Sequence, residues 1–141
     1  LWSYGDLTEA LPVADFVVIA CPLTKETRGL IGEEEISAMR PTAHLTNIAR
    51  GEIIEEEALW DALSRKKIAS AAIDVWYQYP KSPDDQRWPS RFSFEKLDNV
   101  LLTPHSSGWT MHTVEGRIAD IRENIRRFVA GEPVLNAIRR H

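Results

Sequence analysis

The stretch AHLTNIARGEIIEEEALWDAL, residues 43–63, decides how this chain is read. It opens with a short, largely apolar run, Ala43–Ala49, that ends at Arg50 and Gly51. A run of that length bounded by a turn residue is a strand. Three glutamates then lead into a helical segment, Glu55–Arg65, and acidic residues suit the positive end of a helix dipole. Leu59 and Leu63, with Ala58 and Ala62, share one face at helical spacing. A strand that turns directly into an amphipathic helix is half of a βαβ unit.

Working outward, three more apolar runs stand beside it: Phe16–Ala20 (FVVIA), Ile68–Val75 (IASAAIDV) and Val100–Thr103 (VLLT). All four are continuous rather than alternating, which predicts strands buried on both faces of a parallel sheet. A second helix is expected over Glu33–Met39, after Gly32 and before Pro41. The order strand, helix, strand, helix, strand, loop, strand predicts an α/β fold with a parallel sheet. Tyr77–Asp98, with Pro80, Pro83, Pro89 and the pair Asp84-Asp85, has no clean period and is expected to be a long loop, functional or mobile. A long helix follows, Thr110–Ala130, stopped by Gly131 and Pro133. Its stripe of Val114, Ile118, Ile121, Ile125 and Phe128 predicts that it packs along a surface, and the tail Val134–Ile138 is apolar enough to dock.

Composition narrows the function classes. The 141 residues are 43% hydrophobic, enough for a real core. Seventeen basic against 21 acidic residues, a net charge of −4, leave no electrostatic footprint for nucleic acid. The basic pairs Arg126-Arg127 and Arg139-Arg140 lie in or after the last helix, where cations favour the helix C-terminus. One cysteine, Cys21, permits no internal disulfide and no cysteine metal cluster, so no metal site is expected and a cytoplasmic, reducing setting is the default. No apolar run reaches the ~18–20 residues of a membrane span, and no signal-peptide pattern opens the chain. Residue 1 is Leu, so the chain is expected to begin inside a longer reading frame.

In open α/β sheets ligands bind beyond the carboxyl ends of the strands. The residues there are Cys21–Thr24, Asn47–Gly51, Asp74 and Thr103–Gly108. Arg50 at such an end can hold a carboxylate with two parallel hydrogen bonds, or can simply pair with Glu52 or Glu55. His105 is either a proton donor and acceptor or a structural histidine bonded to backbone. Asp74 either caps its loop or accepts from a ligand amide. Gly51 and Gly108 would let backbone approach a ligand closely. His44, His112 and His141 take no role. None of the seven glycines are two residues apart, so the chain has no G-x-G-x-x-G loop to cradle a pyrophosphate.

Taken in order, ADFVVIACPLTKETRGLIG (14–32), MRPTAHLTNIARGEIIEEEALWDAL (39–63), IASAAIDV (68–75) and DNVLLTPHSSGWT (98–110) resemble the D-isomer-specific 2-hydroxyacid dehydrogenase family, phosphoglycerate dehydrogenase-like members included. The resemblance covers the later half of a Rossmann-type NAD-binding domain, residues 1–110. A C-terminal helix and tail, 111–141, would return to the substrate domain. It implies hydride transfer between NAD(H) and a D-2-hydroxy or 2-keto acid, with NAD against NADP left open. By resemblance Arg50 holds the substrate carboxylate and His105 is the acid/base. Cys21, Pro22, Thr27, Ile48, Ala49, Arg50, Asp74, His105, Ser106, Ser107 and Gly108 contact the cofactor. A homodimer is implied for the full-length protein, with no nucleic-acid or membrane partner.

The resemblance breaks at one position. Most members carry, five residues after the Asp, a catalytic Glu that hydrogen-bonds the histidine; here Tyr79 stands there, in DVWYQYP (74–80). Some relatives, such as formate dehydrogenases, use Gln at that place, and here Gln78 falls one residue early. Tyr79 or Gln78 is therefore expected to partner His105, unless Asp84, Asp85 or Glu95 folds back to it. The alternative function is a non-catalytic NAD(H)-binding sensor or corepressor-like protein of the same fold; an unrelated flavodoxin-like module is a third, weaker reading. Without the pyrophosphate loop and half of the cleft, the 141-residue chain alone is not expected to catalyse, and it is expected to expose apolar sheet surface.

Overall fold

The structure, a computed structural model, describes residues 7–138. The pair Arg139-Arg140 and His141 lie outside the described residues. Each apolar run becomes a strand, trimmed at its ends: β1 Phe16–Ile19, β2 His44–Asn47, β3 Ser70–Ile73 and β4 Val100–Leu102. They form one sheet in the order β1-β2-β3-β4, every pair parallel. Helix α1, Leu7–Ala10, which no sequence signal announced, runs into a 3-10 turn at Leu11–Val13. Helix α2 is Glu33–Ala38 and α3 is Glu56–Ser64, each within a residue or two of expectation. The Glu35 carboxylate accepts from the Gly32 amide at 2.9 Å and satisfies one open donor at the start of α2.

The register sorts the sheet into rows. Val17, Leu45, Ala71 and Val100 align across it, as do Ile19, Asn47, Ile73 and Leu102. These rows face a core shared with Ile36 of α2, Leu59, Ala62 and Leu63 of α3, and Ile31, Ile53, Ile68 and Phe94. The intervening rows, Phe16-His44-Ser70 and Val18-Thr46-Ala72-Leu101, face the other way, and neither α2 nor α3 covers them. Phe16 is 74% exposed and Leu101 65%. Burial on both faces, expected from the continuous runs, is therefore wrong for this chain. The reason is topological. Each crossover moves one strand in the same direction, and right-handed crossovers that all step the same way put every helix on the same face. The expected exposure of apolar sheet surface follows from the same geometry. On that open face His44 stacks on Phe16, ring centres 5.2 Å apart, and its Nδ1 lies 2.7 Å from Ser70 Oγ.

The Tyr77–Asp98 connection is a long loop, and it is held down. Glu56, buried in the first turn of α3, accepts from Ser90 Oγ and the Arg91 amide, both at 2.8 Å, and from Arg91 Nε at 2.7 Å. Burial works to raise the Glu56 carboxyl, but the bonds from Arg91 and Ser90 together outweigh it and hold it below the ordinary carboxylate range. Trp60 of α3 adds a stack on Phe92 and an edge contact to Phe94, centres 5.5 and 5.4 Å apart. Burial, with the Glu56 charge adding, pushes the Tyr77 hydroxyl above its ordinary range.

The chain divides into two compact units, one running to Ser106 and one beginning at Ser107. The second holds α4, Met111–Val129, capped by Thr110, whose Oγ1 accepts from the Thr113 amide at 3.1 Å. It ends in a Schellman turn: Gly131, at φ 70°, donates to Phe128 O, and the Glu132 amide donates to Arg127 O. The tail then folds back, with the Leu135 amide donating to Asn124 Oδ1 at 2.7 Å. The stripe of Ile118, Ile121, Ile125 and Phe128, which its period predicts to pack along a surface, is exposed among the described residues of this chain. Among the described residues no helix is long and apolar enough to cross a membrane.

Candidate functional site at the strand ends

In an all-parallel sheet the carboxyl ends of the strands share one edge, so the four loops that follow β1 to β4 are neighbours in that order. The β1 loop is organised by Thr27. It is buried, its hydroxyl donates to Pro22 O at 2.7 Å, and it accepts from the Thr24 amide at 2.7 Å. Thr27 thus shapes the backbone around Cys21 and Pro22, a role its spacing did not announce. The β2 loop is organised by Asn47, the last strand residue. Its Nδ2 donates to Arg50 O at 2.9 Å and its Oδ1 accepts from the Ala49 amide at 3.1 Å. Sequence reasoning passed over Asn47 as a site residue, although a short amide side chain at a strand end is a known turn former.

Arg50 stands exposed at the head of the 3-10 turn Gly51–Ile53. Neither glutamate offered as its surface partner takes it. Glu52 pairs with Arg28, and the Glu55 carboxylate lies against Gly29 and Gly32. The Arg50 Nη1 donates to Ala49 O at 2.6 Å, and among the described residues its guanidinium has no carboxylate. An exposed, unpaired fork at a strand end can receive a ligand carboxylate. Ile48 is 45% exposed beside it, while Ala49 is buried. Gly51 serves protein packing. A Cβ there would sit 2.6 Å from Trp76 C and O, so the β2 loop presses on the backbone of the β3 loop. At Gly108 a Cβ would meet nothing within 4 Å.

Asp74, buried at the end of β3, accepts from Thr103 Oγ1 at 2.6 Å and from the Ser106 amide at 2.9 Å. It ties the β4 loop to β3, with help from Trp76 Nε1, which donates to Thr103 O at 3.0 Å. Between those anchors stands His105, exposed, with φ at 58°. A non-glycine residue in this region costs on the order of 1–3 kcal/mol and persists only where its surroundings fix it, as at functional sites. The His105 Nδ1 lies 3.1 Å from Tyr79 Oη, and the Trp76 amide donates to the same oxygen at 2.9 Å. Among the described residues no hydrogen bond joins the His105 ring to Gln78, Asp84, Asp85 or Glu95, and Asp85 accepts from the Lys81 amide and from Arg87 instead. Ser106 closes the first unit; Ser107 and Gly108 open the second.

The edge therefore assembles an exposed guanidinium after β2, an exposed imidazole after β4, and a buried carboxylate between them. Among the described residues no cluster of His, Cys, Asp or Glu could hold a metal ion.

Comparison with known proteins gives this edge its context. Residues 2–107 match the model of the D-isomer specific 2-hydroxyacid dehydrogenase NAD-binding domain. A glyoxylate reductase of Pyrococcus furiosus is 41% identical over 130 residues, covering 92% of this chain and 36% of the reductase. A D-isomer specific 2-hydroxyacid dehydrogenase of Xanthobacter autotrophicus, solved with NADPH and MES, is 36% identical with a TM-score of 0.74, covering 96% of this chain and 52% of that one. A D-lactate dehydrogenase of Lactobacillus jensenii, solved with NAD+, is 30% identical with a TM-score of 0.82 over 94% of this chain and 42% of that one. This chain thus spans about half the length of such proteins or less. Its four-stranded parallel sheet is part of a Rossmann-type domain, and the chain belongs to the D-isomer specific 2-hydroxyacid dehydrogenase family, within its NAD-binding domain.

Proposed function

We propose that this chain supplies the nicotinamide side of the cleft in a D-2-hydroxyacid dehydrogenase, with Arg50 and His105 as its reacting groups. One observation carries the reading. In a chain of this family the β2 and β4 loops bring to the strand-end edge an exposed arginine that has no carboxylate partner among the described residues and an exposed histidine in a strained backbone. The residues present suit one end of a dinucleotide. Cys21-Pro22, on backbone shaped by Thr27, the exposed Ile48 with Ala49, and the backbone at Ser106 would hold the nicotinamide; Asp74 would act through the β4 loop that it ties down. The pyrophosphate has no glycine-rich cradle in these 141 residues. When bound, NAD(H) or NADP(H) supplies or takes the hydride.

Everything else falls to side chains of this chain. Arg50 binds the carboxylate of a 2-keto acid with two parallel hydrogen bonds, which fixes the adjacent carbonyl in register. The positive guanidinium favours charge that builds on the carbonyl oxygen. His105 gives its proton to that oxygen as the carbon is reduced, and takes it back from the hydroxyl when the reaction runs in reverse. A small 2-keto acid such as glyoxylate is the first substrate to test, since the Pyrococcus relative is named a glyoxylate reductase. A homodimer and a cytoplasmic setting belong to the same reading.

The test is reduction of a panel of 2-keto acids, with NADH and NADPH, by the full-length protein that carries this chain. Turnover that falls by about 10²–10⁴-fold in His105→Asn is the expected result. The second reading, a cofactor-binding sensor, is favoured by the absence of a carboxylate at Tyr79. Cofactor binding without turnover of any keto acid would select it.

A further inference from the structure

We propose that Tyr79 is the positioning residue of His105, and that it holds the neutral imidazole in the Nε2–H tautomer. Its consequence for catalysis rests on the dehydrogenase reading above; the tautomer itself does not. The argument is one of hydrogen-bond direction. Among the described residues the Tyr79 Oη has two partners, the Trp76 amide at 2.9 Å and His105 Nδ1 at 3.1 Å. A backbone amide can only donate, so it claims an acceptor site on Oη. A phenol carries one proton, and of these two partners only Nδ1 can receive it. The run from amide to hydroxyl to ring nitrogen then points one way throughout, the arrangement in which each bond strengthens the next. With Nδ1 accepting, the proton of the neutral ring sits on Nε2.

The frame around the pair fixes both ends. Tyr79 follows Trp76 in the β3 loop, and that loop presses on Gly51 and is bonded to Thr103 through the Trp76 indole. His105 is set by its φ of 58° and by the Asp74 bond to the next amide. The rings lie 5.7 Å apart, tilted by 46°.

A carboxylate in place of the phenol would reverse the tautomer. It accepts only, so it draws the proton to Nδ1 and leaves a lone pair on Nε2. The two partners prepare the histidine for opposite ligands. Nε2–H donates a hydrogen bond to the carbonyl oxygen of a keto acid. A bare Nε2 accepts the hydroxyl proton of a hydroxy acid. Tyr79 thus biases the resting site toward keto-acid binding, and a hydroxy acid must wait for the ring to exchange tautomers.

The experiment is nitrogen-15 NMR of the histidine side chains in the 141-residue chain, without cofactor or substrate. It is run well above the ordinary histidine pKa of about 6.5, where the ring is neutral. The His105 signals are assigned by their loss in His105→Asn. Wild type is expected to show a protonated Nε2 and an unprotonated Nδ1 displaced by hydrogen bonding. Tyr79→Phe should lose that displacement, and Tyr79→Glu should reverse the pattern to Nδ1–H. The proposal is overturned by Nδ1–H in wild type, or by a His105 pattern in Tyr79→Phe that matches wild type. Should Tyr79→Phe fail to fold, the wild-type spectrum and Tyr79→Glu decide. Because no turnover is involved, an inactive full-length protein with the expected spectra would refute the enzyme reading alone. An active one with unmoved spectra would refute only the role of Tyr79.

Discussion

Gly51→Ala tests whether the β2 and β3 loops form one rigid support. The added Cβ would lie 2.6 Å from both Trp76 C and Trp76 O, and 3.0 Å from the Tyr77 amide nitrogen. Ordinary contact begins at 3.4 Å, so the gap must open by about 0.8 Å. What must move is backbone, and Trp76 is tied to Tyr79 through its amide and to Thr103 through its indole. Neither side can yield by rotating a side chain. Overpacking of this kind costs about 1–3 kcal/mol. The smaller conformational freedom of Ala in the unfolded chain offsets about 0.4–1 kcal/mol of that. The net expectation is a loss of about 1–2 kcal/mol, read as a lower urea midpoint of the 141-residue chain. Gly116→Ala is the control. It lies inside α4 with nothing within 4 Å of a Cβ, so it should gain about 0.5–1 kcal/mol. In the full-length protein the shift falls next to Arg50, and a misplacement near 1 Å lowers turnover on the order of 10²-fold. A Gly51→Ala variant with wild-type stability and wild-type turnover would refute the reasoning.

Further expectations concern the groups that hold the site. Glu56→Gln should lose about 2–3 kcal/mol, because three bonds from Ser90 and Arg91 converge on a buried carboxylate. The Glu56 carboxyl is held below its ordinary range, so its contribution is complete above about pH 4.5 and fades as pH falls through the folded value. Urea midpoints measured from pH 7 to pH 3 should therefore fall more steeply in wild type than in Glu56→Gln; parallel curves would count against the clamp. Asp74→Ala strands the Thr103 hydroxyl and the Ser106 amide and should cost about 2–3 kcal/mol. Amide exchange should quicken at Ser106 before it does in α3, and uniform quickening would contradict a local latch. Arg50→Lys keeps the charge but loses the planar fork, so in steady-state assays of the full-length protein kcat/KM for a 2-keto acid should fall at least tenfold. Unchanged kinetics would remove Arg50 from the carboxylate site.

Much of this protein is legible in one dimension because local rules dominate there. The strand runs at Phe16, Ala43, Ile68 and Val100, the glutamate-led helices and the Gly131 stop are each specified within a few residues, and all are found close to where the sequence places them. The alternation of strands and helices is enough to make the sheet parallel, and a parallel sheet is enough to bring Arg50, Asp74 and His105 to one edge. What the sequence could not decide depends on contacts between distant segments. Continuous apolar runs look alike whether one face is covered or two, and only the one-way strand order left Phe16 and Leu101 in the open. Glu56 reads as one acid among three until the loop returns 34 residues later to place Ser90 on it. Gly51 reads as room for a ligand until Trp76 fills that space. The choice between Gln78 and Tyr79 was open because adjacent residues in a loop point in directions that no period predicts. The tertiary structure decided it by setting the Tyr79 hydroxyl between a backbone amide and His105 Nδ1.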